Sequence, residues 1–290
     1  MAAPIDELAP AKINLSLRVR GRRPDGYHEL ESLVVFATVG DRVTLHQGEA
    51  FALTVTGPFA AALDSDNLVA TAVRRAQAAD PHLRTGAFHL EKNLPVAAGL
   101  GGGSSDAAAA LRALRRANPD RAKMLDWSAL AAGLGADVPV CLAGRPALMR
   151  GIGEQLHFVA RMPEAAIVLV NPRVPLGSGE VFRALGAEPL RAPKVSSTPP
   201  PDFAGLGDLI SYLQSSANDL EVPAKILCPE IVRVEAALAS QPAARLVRMS
   251  GSGPTCFALF ASRAEADDAA AVITRHEPGW WVMASEIASV

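Results

Sequence analysis

The segment Pro95-Val96-Ala97-Ala98-Gly99-Leu100-Gly101-Gly102-Gly103-Ser104-Ser105-Asp106 places four glycines in five positions and runs straight into hydroxyl and carboxyl residues that open helices. Glycine lets backbone N–H groups approach a polyanion closely and takes φ > 0. The unpaired N–H groups of a helix start, reinforced by the helix dipole, favour phosphate. The chemistry this predicts is triphosphate binding, against the plain alternative of a flexible turn. A Walker A loop is excluded because no Lys follows the last glycine. A Rossmann fingerprint, which needs an early strand with an acid about twenty residues beyond, does not fit either.

Four further constellations accompany it. In Pro10-Ala11-Lys12-Ile13-Asn14-Leu15 the alternation of a strand puts Lys12 and Asn14 on one face and Ile13 and Leu15 on the other. Standing alone, such a lysine is more often an edge guard than a site residue. Gly21-Arg22-Arg23-Pro24-Asp25-Gly26-Tyr27-His28-Glu29-Leu30 is a turn-forming stretch with an aromatic beside an imidazole, and its bland reading is a solvated β-turn. Leu134-Gly135-Ala136-Asp137-Val138-Pro139 holds an acid in a tight turn, where capping is the usual job. Met249-Ser250-Gly251-Ser252-Gly253-Pro254-Thr255 is a second glycine turn, weak by itself.

The elements that must position these residues read as mixed α and β. Ala11 to Val19 and Ser32 to Val39 are apolar and β-branched and predict strands around a polar surface loop, Arg20 to Glu31. Arg42 to Leu45 and Phe51 to Val55 predict short strands, and Asp66 an N-cap for a helix from Asn67 to Ala79. His89 to Asn93 reads as a strand before the glycine loop, with a helix from Ala107 to Ala117 after it and another from Asp126 to Leu134. Ala166 to Val170 predicts a strand, and Gly186 to Gly207, rich in Pro, Ser, Ala and Gly, a loop. Helical patterns follow over Asp219 to Leu227 and Pro229 to Ala239, then a strand, the second glycine turn, a strand from Cys256 to Phe260, and a final helix and strand.

Composition bounds the function. With 290 residues, 49% of them hydrophobic, the chain can bury one large core or two medium ones. A formal net charge of −2, from 28 basic and 30 acidic residues without like-charged blocks, speaks against nucleic acid as a partner. Cys141, Cys228 and Cys256 lie far apart without metal-site spacing, which predicts buried thiols in a reducing compartment. Acids at Asp6 and Glu7 and the lack of an apolar run of about 18 residues predict a cytoplasmic protein without membrane attachment.

Together the five motifs resemble the GHMP kinases, over nearly the whole chain and in the same order. The first two, the glycine loop and Leu134-Gly-Ala-Asp137-Val-Pro139 are similar to the diphosphocytidyl-methylerythritol kinase branch. The resemblance implies an α+β chain of two lobes. Residues 1–160 would form a ribosomal-protein-S5-like lobe holding ATP, and residues 161–290 a ferredoxin-like lobe. It implies transfer of the γ-phosphoryl group of ATP, with Mg2+, to the 2-hydroxyl of a cytidine diphosphate methylerythritol, in a monomer or homodimer.

Carried over, Lys12 and Asp137 are catalytic, and Pro95, Val96, Ala97, Ala98, Gly99, Leu100, Gly101, Gly102, Gly103, Ser104 and Ser105 hold ATP. Asn14, Tyr27, His28, Phe182 and Asp137 contact the acceptor, with Tyr27 stacking on cytosine, His28 hydrogen-bonding it and Phe182 closing its other side. Ser105 is offered as a metal contact, and Gly251 to Gly253 helps to shape the site. An ordinary Asp, with a pKa of about 3.9, is a weak base at neutral pH, so Lys12 is expected to act with Asp137. Ala97 and Ala98 stand where relatives often carry glycine, in backbone angles expected to be ordinary. The rivals are a GHMP kinase for another small alcohol and a silent nucleotide-binding relative. The Tyr27-His28 pair suits a nucleobase better than a small polar alcohol.

Overall fold

The computed structural model describes residues 3–63, 67–190 and 199–288. Its contacts divide the chain into two compact units, one of Met1–Ala11, Gly40–Val96 and Gly101–Gly144, the other of Lys12–Val39, Ala97–Leu100 and Arg145–Val290.

In the first unit, β1 (Ile5–Asn14) begins beside the second half of β3 (His28–Gly48). Beyond Gly40, β3 pairs antiparallel with β5 (Thr85–Glu91), from Arg42 opposite Glu91 to Gly48 opposite Thr85, and β4 (Ala52–Thr56) pairs parallel with β5. Helix α1 (Leu68–Ala79) buries Val69, Ala72, Val73 and Ala76, the stripe of a one-sided helix. Asp66 falls outside the described residues, and the N-cap is Asn67, whose Oδ1 accepts the Val69 N–H at 2.8 Å. Helix α2 (Gly102–Ala117) is lined with small buried residues from Ala107 to Ala110, which let α1 pack closely against it. Asp126 caps α3 (Trp127–Leu134), accepting the Ala129 N–H at 2.9 Å, and α4 (Val138–Ala143) follows.

In the second unit, β2 (Arg18–Arg22) and the first half of β3 form a hairpin, with Arg22 opposite His28. That half of β3 also pairs with β6 (Ala147–Gly151), and β6 with β7 (Gln155–Phe158). A second sheet is antiparallel throughout, in the order β11 (Trp281–Glu286), β8 (Ala166–Asn171), β10 (Cys256–Phe260), β9 (Leu246–Met249). Every residue of β8 and β10 is buried, which explains their continuous apolar run. Helices α5 (Ser178–Leu185), α6 (Leu206–Gln214), α7 (Glu221–Leu227), α8 (Glu230–Ala239) and α9 (Arg263–His276) complete this unit. Ile231, Val234, Leu238, Ala266 and Ile273 join Val168, Val170, Ala258 and Phe260 in one core. Two sheets with packed helices are the α+β class expected, and the three cysteines are buried and form no disulfide.

Several expectations need correction. Ala11 to Val19 is not one strand. β1 ends at Asn14 and β2 begins at Arg18, because Leu17 turns its N–H to the Ala217 carbonyl instead of a strand partner. Arg20 to Glu31 is a hairpin, its polarity reflecting exposed arms around a turn in which Gly26 takes φ 89°. Ser32 to Val39 and Arg42 to Leu45 belong to one 21-residue strand. The loop expected from Gly186 to Gly207 has residues 191–198 outside the described ones, and α6 already begins at Leu206. Sequence patterns missed β6, β7, α5 and α6, short elements with little periodicity to read.

Gly40 keeps β3 continuous because β1 crosses it at contact distance: a Cβ there would stand 2.2 Å from the Ala9 carbonyl oxygen. Replacing Gly40 by Ala is expected to destabilise the chain by about 1–3 kcal/mol, the range for a methyl forced into packed structure. A denaturation midpoint equal to that of the unchanged chain would refute this close approach.

Candidate active site

Lys12 and Asn14 point together, as the strand alternation predicted, while Ile13 and Leu15 are fully buried on the other side. The Lys12 ammonium, 4% exposed, donates to Asn14 Oδ1 at 2.9 Å. Asn14 is fixed in turn: its Nδ2 donates to Ser32 Oγ at 2.7 Å and its N–H to Ser250 Oγ at 3.1 Å. Because the amide oxygen faces the ammonium and the amide nitrogen a hydroxyl, the Asn14 side chain has one productive orientation.

The entry of the glycine loop belongs to the same unit. The Lys12 N–H donates to the Leu100 carbonyl at 2.9 Å, and Ser250 Oγ donates to the Gly99 carbonyl at 2.9 Å. Gly99 takes φ 72°, and a Cβ on it would stand 2.3 Å from the Ser250 carbonyl oxygen. The second glycine turn is therefore built against the first. Asn218 holds that turn from behind, donating to the Met249 and Gly251 carbonyls at 2.9 and 2.7 Å.

Ala97 departs from the expectation of ordinary angles. It takes φ 51°, a left-handed conformation that costs a residue with a Cβ about 1–2 kcal/mol. The loop's turn demands that geometry whichever residue stands there.

In the other unit the loop continues into α2. The helix starts at Gly102, with Gly101 as N-cap at φ 60°, so Ser104, Ser105 and Asp106 lie in its first two turns and not before it. No side chain caps this end, which leaves the first amides to a ligand or water. Ser105 is fully buried, and its hydroxyl donates to the Pro10 carbonyl at 2.6 Å. Asp137 opens α4 as its N-cap residue, ahead of Pro139, and its side chain does not cap the helix it begins.

The hairpin and α5 bring another pair together. The rings of His28 and Phe182 stack with centroids 4.8 Å apart, and Tyr27, next to His28 in sequence, is 57% exposed on the turn. Burial, and then the charge of Arg22, hold the His28 pKa below its ordinary 6.5, so the ring is neutral at pH 7.

One charged cluster escaped sequence reasoning. Lys92, 1% exposed, bonds Asp41 and reaches Asp106 Oδ2 at 2.7 Å. Asp41 also accepts the Asn93 and Leu94 N–H groups, whereas Asp106 Oδ1 is buried without a partner. Burial pushes Asp106 up to about 8; Lys92 pulls against this and the Asp41 charge adds to it. Two ionised carboxylates around one ammonium would leave a net charge out of water, and Asp106 is the less supported of the two. The only sequence signal was an acid at a helix start, which reads equally well as a cap.

The glycine loop and Asp137 lie in residues 67–145, which match the family model "GHMP kinases N terminal domain"; residues 194–279 match "GHMP kinases C terminal". The fold is shared with the homoserine kinase of Cytophaga hutchinsonii, at TM-score 0.69 and 18% identity over 99% of this chain and 95% of that one. These matches define the chain as a GHMP kinase. A crystal structure of 4-(cytidine 5'-diphospho)-2C-methyl-D-erythritol kinase superposes at TM-score 0.77, with 33% identity over 99% of this chain and all of that one. The 4-diphosphocytidyl-2-C-methyl-D-erythritol kinase of Bradyrhizobium diazoefficiens is 48% identical over 99% of each chain. The chain belongs to the 4-diphosphocytidyl-2-C-methyl-D-erythritol kinase family, and is an ATP-dependent kinase.

Asp106 keeps its proton to about pH 8 in the folded chain and to about 3.8 when unfolded, so folding takes up a proton between those values. This contribution is complete below the unfolded value and is lost as pH rises through the folded one. Asp106→Asn, which cannot ionise, is expected to gain stability relative to the unchanged chain by about 1.4 kcal/mol per pH unit between roughly pH 5 and 8. Urea unfolding across that range measures the slope, and a difference independent of pH would refute the neutral acid.

Proposed function

We propose that the chain transfers the γ-phosphoryl group of ATP to the 2-hydroxyl of 4-diphosphocytidyl-2-C-methyl-D-erythritol, giving ADP and the 2-phosphate, in the non-mevalonate route to isoprenoid precursors. Membership of the family supports the chemistry. The observation that carries the acceptor is the His28–Phe182 stack with Tyr27 exposed beside it: an aromatic platform and a neutral imidazole suit a nucleobase. A mevalonate-, homoserine- or sugar-type acceptor has no aromatic ring to stack on them.

Transfer of a phosphoryl group demands positioning and charge stabilisation more than covalent chemistry. In our reading the loop from Pro95 to Ser105 holds the triphosphate through backbone N–H groups, those of Gly102, Gly103 and Ser104 without internal partners at the start of α2. Lys12 offers a positive charge to the transferring group and the acceptor oxygen, held to its line by Asn14. Asp137 orients the 2-hydroxyl and takes its proton, in concert with Lys12.

The donor set fits Mg2+ carried by the nucleotide better than a protein cage. No group of three or more His, Cys, Asp or Glu residues able to hold a metal ion occurs among the described residues, and Mg2+ commonly leans on phosphate and water. Bound there, Mg2+ would neutralise charge on the β- and γ-phosphates. Ser105 gives its hydroxyl proton to the Pro10 carbonyl, and its oxygen lone pairs would be the atoms to contact the ion.

We retain the lobe boundary at 160/161 as a proposal, since it falls between β7 and β8 and separates the two family matches. No helix among the described residues is long and apolar enough to cross a membrane. A cytoplasmic monomer or homodimer without nucleic-acid partners completes the reading.

Two outcomes test it. Lys12→Ala and Asp137→Asn are each expected to lower turnover by roughly 10²- to 10⁴-fold in an ADP-release assay with Mg-ATP and the cytidine substrate. Wild-type turnover in either would remove that residue from the chemistry. Phe182→Ala is expected to raise KM for the cytidine substrate about 10- to 100-fold, the value of one lost base stack, with KM for ATP unchanged. Turnover of the unchanged chain with mevalonate, homoserine or galactose instead would leave the kinase and overturn the acceptor.

A further inference from the structure

Lys12 and Asn14 stand where β1 leaves its ladder, and the backbone groups of a strand end must find other partners. Two side chains at the end of β9 supply them. The Asn14 N–H donates to Ser250 Oγ at 3.1 Å, and the next carbonyl, Leu15 O, accepts from Arg248 Nη1 at 2.9 Å. The second arm, Arg248 Nη2, donates to the Leu213 carbonyl at 2.8 Å, in the last turn of α6. One guanidinium thus ties β9, the end of β1 and the C-terminal turn of α6, whose unpaired carbonyls attract a cation.

Arg248 makes no ion pair among the described residues; the acids and bases that act on it are Glu221 and Arg18, at longer range. Burial, before either of these, holds its pKa below the ordinary arginine value. A half-buried guanidinium without a carboxylate gives up part of its hydration for its two carbonyl contacts, and its planar fork fixes two directions at once, which an ammonium does not. Its two carbonyl contacts are the reason for its place, and one of them immediately follows Asn14.

We propose that Arg248 is a positioning residue for phosphoryl transfer: by gripping the Leu15 carbonyl, with Ser250 on the Asn14 N–H, it sets the strand end that aims Lys12 and Asn14. This rests on the functional reading above.

The experiment compares Arg248→Met and Arg248→Lys with the unchanged chain in three measurements. These are stoichiometry of binding a non-hydrolysable ATP analogue, turnover per binding site, and hydrogen exchange of the peptide covering Lys12 to Leu17. For Arg248→Met, binding stoichiometry stays near that of the unchanged chain while turnover per site falls roughly 10- to 100-fold, the usual effect of a misplaced reacting group. Exchange over Lys12 to Leu17 accelerates. Arg248→Lys keeps the charge without the fork and recovers less than half of the lost turnover.

Turnover per site equal to the unchanged chain's in Arg248→Met overturns the proposal. So does a loss matched by an equal loss of binding sites, the mark of a merely structural role, or full recovery with lysine. Should Arg248→Met fail to fold, Ser250→Ala removes the second anchor and is expected to show the same fall per site and the same faster exchange at Asn14. If the unchanged chain phosphorylates no acceptor, the functional reading fails. The exchange comparison then decides on Arg248 by itself.

Discussion

A lysine ammonium taken out of water must be surrounded by oxygen, and two lysines of this chain are almost completely buried at either end of the glycine loop. Lys12 runs beside the loop's entry and gives its backbone N–H to Leu100. Lys92 lies under the loop's exit, where a Cβ on Gly102 would come within 3.0 Å of its ammonium nitrogen. Much of the local wiring follows from these two charges. Lys12 orders Asn14, which orders Ser32 and Ser250. Lys92 draws in Asp41 and Asp106, and so ties the end of β5 to the first turns of α2.

A loop that received a polyanion, as proposed above, would have to leave its own N–H groups unpaired, so it could not stabilise itself by ordinary turn bonds. The chain resolves this by anchoring carbonyls instead. Gly99 and Leu100 offer their oxygens to Ser250 and Lys12, and Ala98 offers its oxygen to Thr255 at 3.3 Å. The acceptors hold the shape, which under the proposed function leaves the donors for a ligand. That arrangement also explains why Ala97 persists at a positive φ: the loop is determined from outside, and strain at one residue is tolerated where the surroundings over-determine it.

The hairpin carrying Tyr27 and His28 shows why local polarity misleads. Arg20 to Glu31 is polar because both arms face solvent over much of their length, and their regularity comes from cross-strand pairing with a bulge between Val19 and Gly21. A turn of this kind projects its aromatic outward, where an exposed Tyr27 has little packing role. The neighbouring imidazole is steadied by Phe182 from a helix more than 150 residues away in sequence, and the hairpin itself supplies no such partner.

The amino-acid sequence by itself determined the glycine loop that leads into a helix, the shared face of Lys12 and Asn14, the aromatic–imidazole pair, and most long helices and apolar strands. Each depends on residue types within one or two turns of chain, where glycine freedom, strand alternation and capping act locally. Only the tertiary structure decided what those residues lean on. Ser32, Ser250 and Arg248 meet the β1 end from 18 to more than 230 residues away, and Asp41 and Asp106 close on Lys92 across 51 and 14. Such pairings come from folding distant segments into one core, and a buried serine or arginine looks in sequence like any surface one. The motifs were legible because they are local, and their rigidity was not, because rigidity is supplied from elsewhere in the chain.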